Sequence, residues 1–414
     1  MRVVILTQWY PPEPAVLMKE LAESLCARGH AVTVVTGFPN YPSGTIYDGY
    51  RVRPWQRERH DAVEVVRVAL YPEHSRSGVK RALNYASFAA SASVLAPWLV
   101  ERPNVLFVYH PPLTVGVPGA WLSALWRAPM VYQIQDMWPE TLVATGMLSS
   151  PTMLRGVARM ARWVYARAAA ICVISEGFRA NLIAKGVPAS KVHVISNWVD
   201  PAVYRPLPPD QALAARLGIS RRFNVLFAGN VGEAQELGVV IEAAQLLSDQ
   251  PDAQFVIVGD GVALPRLRQE AERRGVTNVR FLGRLAPDAM PSVYALADVL
   301  LLHLKDDPLF RITIPHKIFT YLASGKPILA AVAGDAAEVV CRSQAGVVCP
   351  PEDPAALADA VRRLRALSDA ERNRMGSNGR VAVARDFGRE TLVPRFEAIL
   401  ESVARPGIGA AGRE

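Results

Sequence analysis

The sequence predicts an α/β protein of two doubly wound domains, and three observations predict it. Short apolar runs alternate with segments of helical period, the alternation restarts past residue 220, and 414 residues exceed what one ordinary core holds. In the first half, Val3–Thr7, Ala31–Thr36, Val63–Val68, Val105–Tyr109, Met130–Ile134 and Ala170–Ile174 are short and rich in β-branched residues. Such runs suit strands buried on both faces of a parallel sheet. Leu17–Arg28 and Thr152–Arg167 carry the helical period between them. In the second half, Val225–Ala228, Gln254–Val258, Val279–Leu282, Val299–Leu302 and Ile328–Ala331 repeat the scheme. Between the halves, four prolines fall within residues 200–209, which suits neither a helix nor a central strand. The boundary is placed there. Residues 1–205 form the first domain and 206–389 the second, with a last helix near 390–405 expected to pack back on the first. The Gly-rich tail 406–414 is expected to fray.

Composition narrows the function. Half the residues are hydrophobic and a fifth charged, a globular balance that excludes a disordered chain. The opening Met1–Thr7 reads as a buried strand rather than a signal segment, and four scattered cysteines without CxxC spacing fit a reducing compartment. A cytoplasmic location is expected. The net charge of +8 is uneven: residues 1–205 hold 21 Lys+Arg against 13 Asp+Glu, and the remainder holds 25 of each. A basic half attracts anionic lipid or a pyrophosphate-bearing substrate. No Lys/Arg run of nucleic-acid type is present, so no nucleic-acid partner is expected. The segment Ala82–Val100 is unusually apolar and follows Arg76, Lys80 and Arg81. It reads as a buried helix or as one lying on a membrane; its Ala and Ser content makes it weakly hydrophobic for a span.

Two stretches carry candidate chemistry. Gly229-Asn230-Val231-Gly232 follows a strand and precedes a helix. Glycines at such a turn let backbone N–H groups approach a phosphate. The second stretch runs from Arg311 to Pro327. Pro315 is placed to begin a helix and Gly325 to end it, which puts Lys317 in the first turn. A cation there opposes the helix dipole, and a diphosphate bound at the same helix start would account for it.

These stretches resemble the retaining glycosyltransferases of family 4, of the GT-B fold, with two Rossmann-like domains facing a central cleft. The likeness is nearest to the branch that assembles bacterial surface polysaccharides, including N-acetylfucosamine-type transferases. It rests on Gly37-Phe38-Pro39-Asn40-Tyr41-Pro42, Pro111-Pro112-Leu113, Asp136-Met137-Trp138-Pro139-Glu140, Ile174-Ser175-Glu176-Gly177-Phe178 and Ile195-Ser196-Asn197-Trp198-Val199-Asp200. In the second half it rests on Ala228–Gly232, Gly259-Asp260-Gly261, Phe281-Leu282-Gly283-Arg284-Leu285 and 315–327.

The resemblance implies a UDP-linked donor on the second domain. Its diphosphate would meet Gly229, Asn230, Gly232 and Lys317, with Arg311 nearby and the base against Arg284. It places Asp136 where the transferred sugar or acceptor is met, and His110 at the cleft edge, each with a plain structural role as its alternative. The sequence departs from the family twice. Relatives commonly carry two glutamates eight positions apart around this helix; here Ile312 and Thr320 stand there, and Thr320 keeps only a hydroxyl for the ribose. Pro11-Pro12-Glu13-Pro14-Ala15 replaces a glycine pair.

No metal or cofactor is expected, since there is no Asp-x-Asp and the seven histidines show no ligand spacing. The expected reaction moves an N-acetylated hexose or deoxyhexose from a nucleotide diphosphate sugar to a lipid-diphosphate-linked saccharide at an anionic membrane surface. The alternatives are a non-catalytic homologue that binds sugar or a partner enzyme, and a sugar-nucleotide epimerase.

Overall fold

The structure, a computed structural model, describes residues 1–74, 77–219 and 223–404. Arg76 and the tail 406–414 lie outside the described residues. The chain forms two compact units, Met1–Ser196 with the return stretch from Val393, and Asn197–Leu392. The division therefore falls ahead of the proline-rich stretch.

Unit 1 runs β1 (Arg2–Leu6), α1 (Val16–Ala27), β2 (Ala31–Gly37), β3 (Trp55–His60), β4 (Val63–Val68), α2 (Gly78–Leu99), β5 (Val105–His110), α3 (Gly116–Trp126), β6 (Met130–Ile134), α4 (Glu140–Ala144), α5 (Pro151–Arg167), β7 (Ala170–Val173), α6 (Glu176–Ala184) and β8 (Val192–Val194). The sheet order is β3-β4-β2-β1-β5-β6-β7-β8. Val3, Val4, Ile5, Leu106, Phe107 and Val108 are fully buried, as strands covered on both faces should be. Right-handed crossovers put α1 on one face of this sheet and α2, α3 and α5 on the other. One strand escapes the sequence pattern. β3, Trp-Gln-Arg-Glu-Arg-His, alternates exposed and half-buried residues and pairs antiparallel with β4 at the sheet edge. Charged side chains are what keep such an edge from pairing with another chain.

Unit 2 runs α7 (Gln211–Leu217), β9 (Phe223–Ala228), α8 (Gly238–Leu246), β10 (Ala253–Val258), α9 (Leu264–Arg273), β11 (Val279–Gly283), α10 (Met290–Ala295), β12 (Val299–His303), α11 (Pro308–Arg311), α12 (Lys317–Ser324), β13 (Ile328–Ala331), α13 (Asp335–Ser343), β14 (Gly346–Cys349), α14 (Pro354–Ala366) and α15 (Asp369–Ala382). Its six parallel strands are ordered β11-β10-β9-β12-β13-β14. Phe227, Phe255, Ile257 and Leu301 bury their side chains with Val240, Leu267 and Leu357 from the covering helices. Each such side chain contributes about 1.5–3 kcal/mol relative to exposure. The closing helix α16 (Arg389–Ala404) packs on unit 1, where Phe396 meets Phe107 edge-on at 5.8 Å.

Strand order reverses between β9 and β12 in unit 2, and between β1 and β5 in unit 1. In open α/β sheets ligands bind beyond the carboxyl ends of strands at such reversals. These two edges hold the candidate residues.

Candidate functional site

The edge of unit 2 is built backbone on backbone. Gly229 follows β9 with φ +139° and donates its N–H to Val258 O at 2.9 Å; Val231 N–H donates to Asp260 O at 2.9 Å. Gly259 follows β10 with φ +141°, and its N–H reaches Gly283 O at 2.8 Å. A Cβ on Gly259 would stand 1.8 Å from Gly229 O. Only glycine permits this approach and this backbone region. Gln235 Oε1 holds the first loop, accepting from Gly232 N–H at 3.1 Å and Asn230 Nδ2 at 3.4 Å. Beneath it the Tyr321 hydroxyl accepts from Ala228 N–H at 2.9 Å and donates to Ala228 O at 3.2 Å. That phenol fixes α12 to the end of β9.

Lys317 opens α12 and lays its ammonium over this turn. Nζ sits 3.9 Å from the Phe227 ring centroid, and a Cβ on Gly229 would lie 2.7 Å from it. Among the described residues no carboxylate pairs with Lys317. Burial pushes its pKa down to about 7. A desolvated ammonium at a helix start, held by a ring face, has the chemistry to receive an anion. Gly229 and Asn230 beside it are exposed, so an anion has access.

The other donor-side residues divide. Arg284 is exposed on the turn after β11. Arg311 is exposed and gives its guanidinium to Asp306 through bonds of 2.7 and 2.9 Å, a surface ion pair. Thr320 is buried, donates its hydroxyl to Lys317 O at 2.9 Å and bonds the Tyr294 phenol. The hydroxyl expected to face a ribose is used inside unit 2.

At the edge of unit 1, His110 ends β5 and its register partner in β6 is Ile134, two residues before Asp136. His110 is buried with both ring nitrogens unpartnered, and burial holds its pKa down at about 3, so the ring is neutral. Trp138 meets it edge-on at 5.7 Å. Burial raises Asp136 to about 6, and among the described residues no cation pairs with it. Among the described residues nothing accepts from or donates to its ring, so His110 caps no element there.

Comparison with known proteins identifies the architecture. Residues 14–198 match the family described as "Glycosyl transferase 4-like domain", and residues 222–366 match "Glycosyl transferases group 1". The chain is 30% identical over 409 residues to the putative colanic acid biosynthesis glycosyl transferase WcaI of Escherichia coli K12, covering 95% of this chain and 96% of that protein. The chain belongs to the group 1 glycosyltransferases. It is also 26% identical over 301 residues to the probable glycosyltransferase WbjE of Pseudomonas aeruginosa, covering 72% of each. The solved structure of Anabaena HepE in complex with UDP-glucose superposes with a TM-score of 0.71 at 22% identity, over 97% of this chain and 100% of that one, which shows the GT-B fold.

The edge of unit 1 in this glycosyltransferase also holds buried polar residues that sequence reasoning did not single out. Gln8 Nε2 donates to Asn84 Oδ1 at 2.6 Å, and Asn84 Nδ2 donates to Tyr71 O at 2.6 Å and to Asn40 Oδ1 at 3.4 Å. Gln8 leaves the end of β1, so this buried polar chain borders the unit 1 reversal. In the sequence Asn84 shows only as a polar residue inside the apolar run Ala82–Val100. Glu13 accepts from the N–H groups of Tyr10, Asn40 and Tyr41 at 3.1, 2.9 and 2.8 Å. Its own carboxylate thus satisfies three backbone donors from two loops. Burial raises it to about 7 against the pull of the three donors.

The fold also gathers His30, Glu397 and Glu401, distant in sequence, with ligand atoms within 4.8 Å of one another. Arg28 and His30 pair with Glu397, and the Met1 amine lies 3.2 Å from His30 Nδ1. Protein cations already balance this cluster, which ties α16 to the start of β2.

Proposed function

We propose that this glycosyltransferase moves a sugar, an N-acetylated hexose or deoxyhexose, from a UDP-linked donor to a lipid-diphosphate-linked saccharide in cell-surface polysaccharide synthesis. Transfer takes place at the cytoplasmic face of the membrane, with retention and without a metal. The single observation that carries the reading is the unpaired Lys317 ammonium over the Gly229 turn. The likeness to the colanic acid biosynthesis glycosyl transferase WcaI and to the HepE–UDP-glucose complex supports the pathway and the donor.

In the reaction, the bond from the anomeric carbon to the phosphate oxygen breaks. The acceptor oxygen bonds that carbon from the same face, and its proton passes to the departing phosphate. Charge grows on that diphosphate, where Lys317 and the start of α12 would neutralise it. Asp136 and His110 would meet the transferred sugar or the acceptor.

The test is transfer of labelled sugar from nucleotide sugars to a membrane lipid extract by the purified protein, with the anomeric configuration of the product read by NMR. Asp136→Asn is expected to lower turnover by about 100-fold while leaving the UDP Kd unchanged. Wild-type turnover should fall as pH drops through about 6, the Asp136 value, because protonation removes the charge the variant lacks. Equal turnover in both proteins would remove Asp136 from the reaction.

A non-catalytic homologue is the second reading. It is favoured by Thr320, which offers no carboxylate and no free hydroxyl to a ribose. UDP binding without transfer to any acceptor would support it.

A further inference from the structure

The sequence offers Ala82–Val100, preceded by Arg76, Lys80 and Arg81, as a buried helix or as one lying on a membrane. Among the described residues no helix is long and apolar enough to cross a membrane. Lys80 pairs with Glu73 at 3.7 Å. The surface features lie farther along the same face of unit 1, where α3 packs between α2 and α5.

An apolar groove of about 660 Å³ opens between α2 and α3, walled by Val94, Pro97 and Trp98 on one side and Val117, Trp121 and Leu125 on the other. Trp98 is 86% exposed and Trp121 51%. Trp121 Nε1 donates to Ser93 O at 3.3 Å, which holds that indole across the groove. Two solvated indoles flanking an apolar groove leave a large apolar area uncovered. Beside them α5 presents Arg155, Arg159 and Arg162 to solvent, with Trp163 exposed and Arg167 stacked 4.0 Å over its ring. The three helices contain no Asp or Glu at all.

We infer that the α2–α3–α5 face of unit 1 docks on an anionic lipid surface, with Trp98 and Trp121 entering the headgroup–acyl boundary and the α5 arginines meeting lipid phosphates. This deepens the membrane part of the proposed function and rests on it. Charge decides the occupant. The four exposed α5 arginines, on a face whose three helices carry no acid, repel a second copy of the same face and attract an anionic sheet. Indoles prefer the lipid–water boundary, and apolar area plus basic charge is the combination that holds a protein on a membrane without spanning it.

The test is co-sedimentation of the full chain with phosphatidylglycerol/phosphatidylcholine vesicles and with pure phosphatidylcholine vesicles, at low and high salt. Wild type is expected to bind the anionic vesicles, to release at high salt, and to ignore the neutral ones. The triple variant Arg155→Ser/Arg159→Ser/Arg162→Ser should lose on the order of 100-fold in partitioning, about fivefold per cation. The double variant Trp98→Ser/Trp121→Ser should lose binding and the blue shift of tryptophan emission. Both sets lie on exposed positions, and both variants should keep wild-type UDP affinity and melting temperature. Binding by either variant equal to wild type overturns the inference, as does indifference of wild type to anionic vesicles. A wild-type dimer that the tryptophan variant converts to monomer would make this face a protein interface instead. Loss of UDP binding by wild type itself would count against the donor reading, not against this surface.

Discussion

Lys317→Ala is expected to weaken UDP binding by about 1.5–3 kcal/mol, roughly 10- to 150-fold in Kd, because it removes a charge-assisted contact. The size follows from the surroundings. The ammonium is already desolvated over Phe227 and faces no carboxylate among the described residues, so a diphosphate would meet a cation whose dehydration the fold has already imposed. Packing and charge separate in a second variant. Lys317→Met keeps the chain length over Phe227 and should lose nearly as much affinity as alanine. Calorimetry with UDP checks both. Unchanged affinity in Lys317→Met would assign the phosphate to another part of the edge, and Lys317 would then be a helix-start lysine kept for packing.

Gly259→Ala should be the most damaging single substitution at the edge of unit 2. The new Cβ would stand 1.8 Å from Gly229 O and the backbone would keep φ at +141°. The clash is with backbone, so no side chain can swing away, and the β9 and β10 loops must part. Strained backbone alone costs about 1–3 kcal/mol, and displacement of the loop adds to it. A loss of about 4 kcal/mol lowers the melting temperature of a domain this size by roughly 10 °C. Gly275→Ala supplies the comparison, since Gly275 has φ +64° and nothing within 4 Å of a Cβ. It should cost only the left-handed penalty, about 1–2 kcal/mol. Equal melting temperatures for the two variants would mean the loop contact is not tight.

Much of this architecture is legible in the chain itself. Strands buried on both faces announce themselves as β-branched runs, and the helix from Lys317 to the stop at Gly325 follows from Pro and Gly placement. β3 was not legible, because a charged edge strand carries no apolar pattern. The end of α12 was legible and its inward contacts were not. That Thr320 spends its hydroxyl inside unit 2 depends on Lys317 O and Tyr294, and that Arg311 pairs on the surface depends on Asp306; spacing does not reveal those partners. Glu13 is the opposite case. Its place in a proline-rich loop was evident, but its three backbone donors come from two separate loops that only the fold brings together.

The central claim, a diphosphate received by Lys317, is tested most directly by proton uptake on UDP binding. With burial holding Lys317 at about 7, the free protein carries a mostly neutral amine at pH 8. A bound diphosphate favours the charged form and raises that pKa toward its ordinary value, so binding must draw a proton from solution. Affinity should therefore fall as pH rises above about 7, and level off below it. Titration calorimetry at pH 8 in two buffers of different ionisation enthalpy measures the uptake, at a pH where the nucleotide phosphates are fully ionised. The account predicts uptake of close to one proton by wild type and none by Lys317→Ala. UDP binding with no proton uptake by wild type would contradict it.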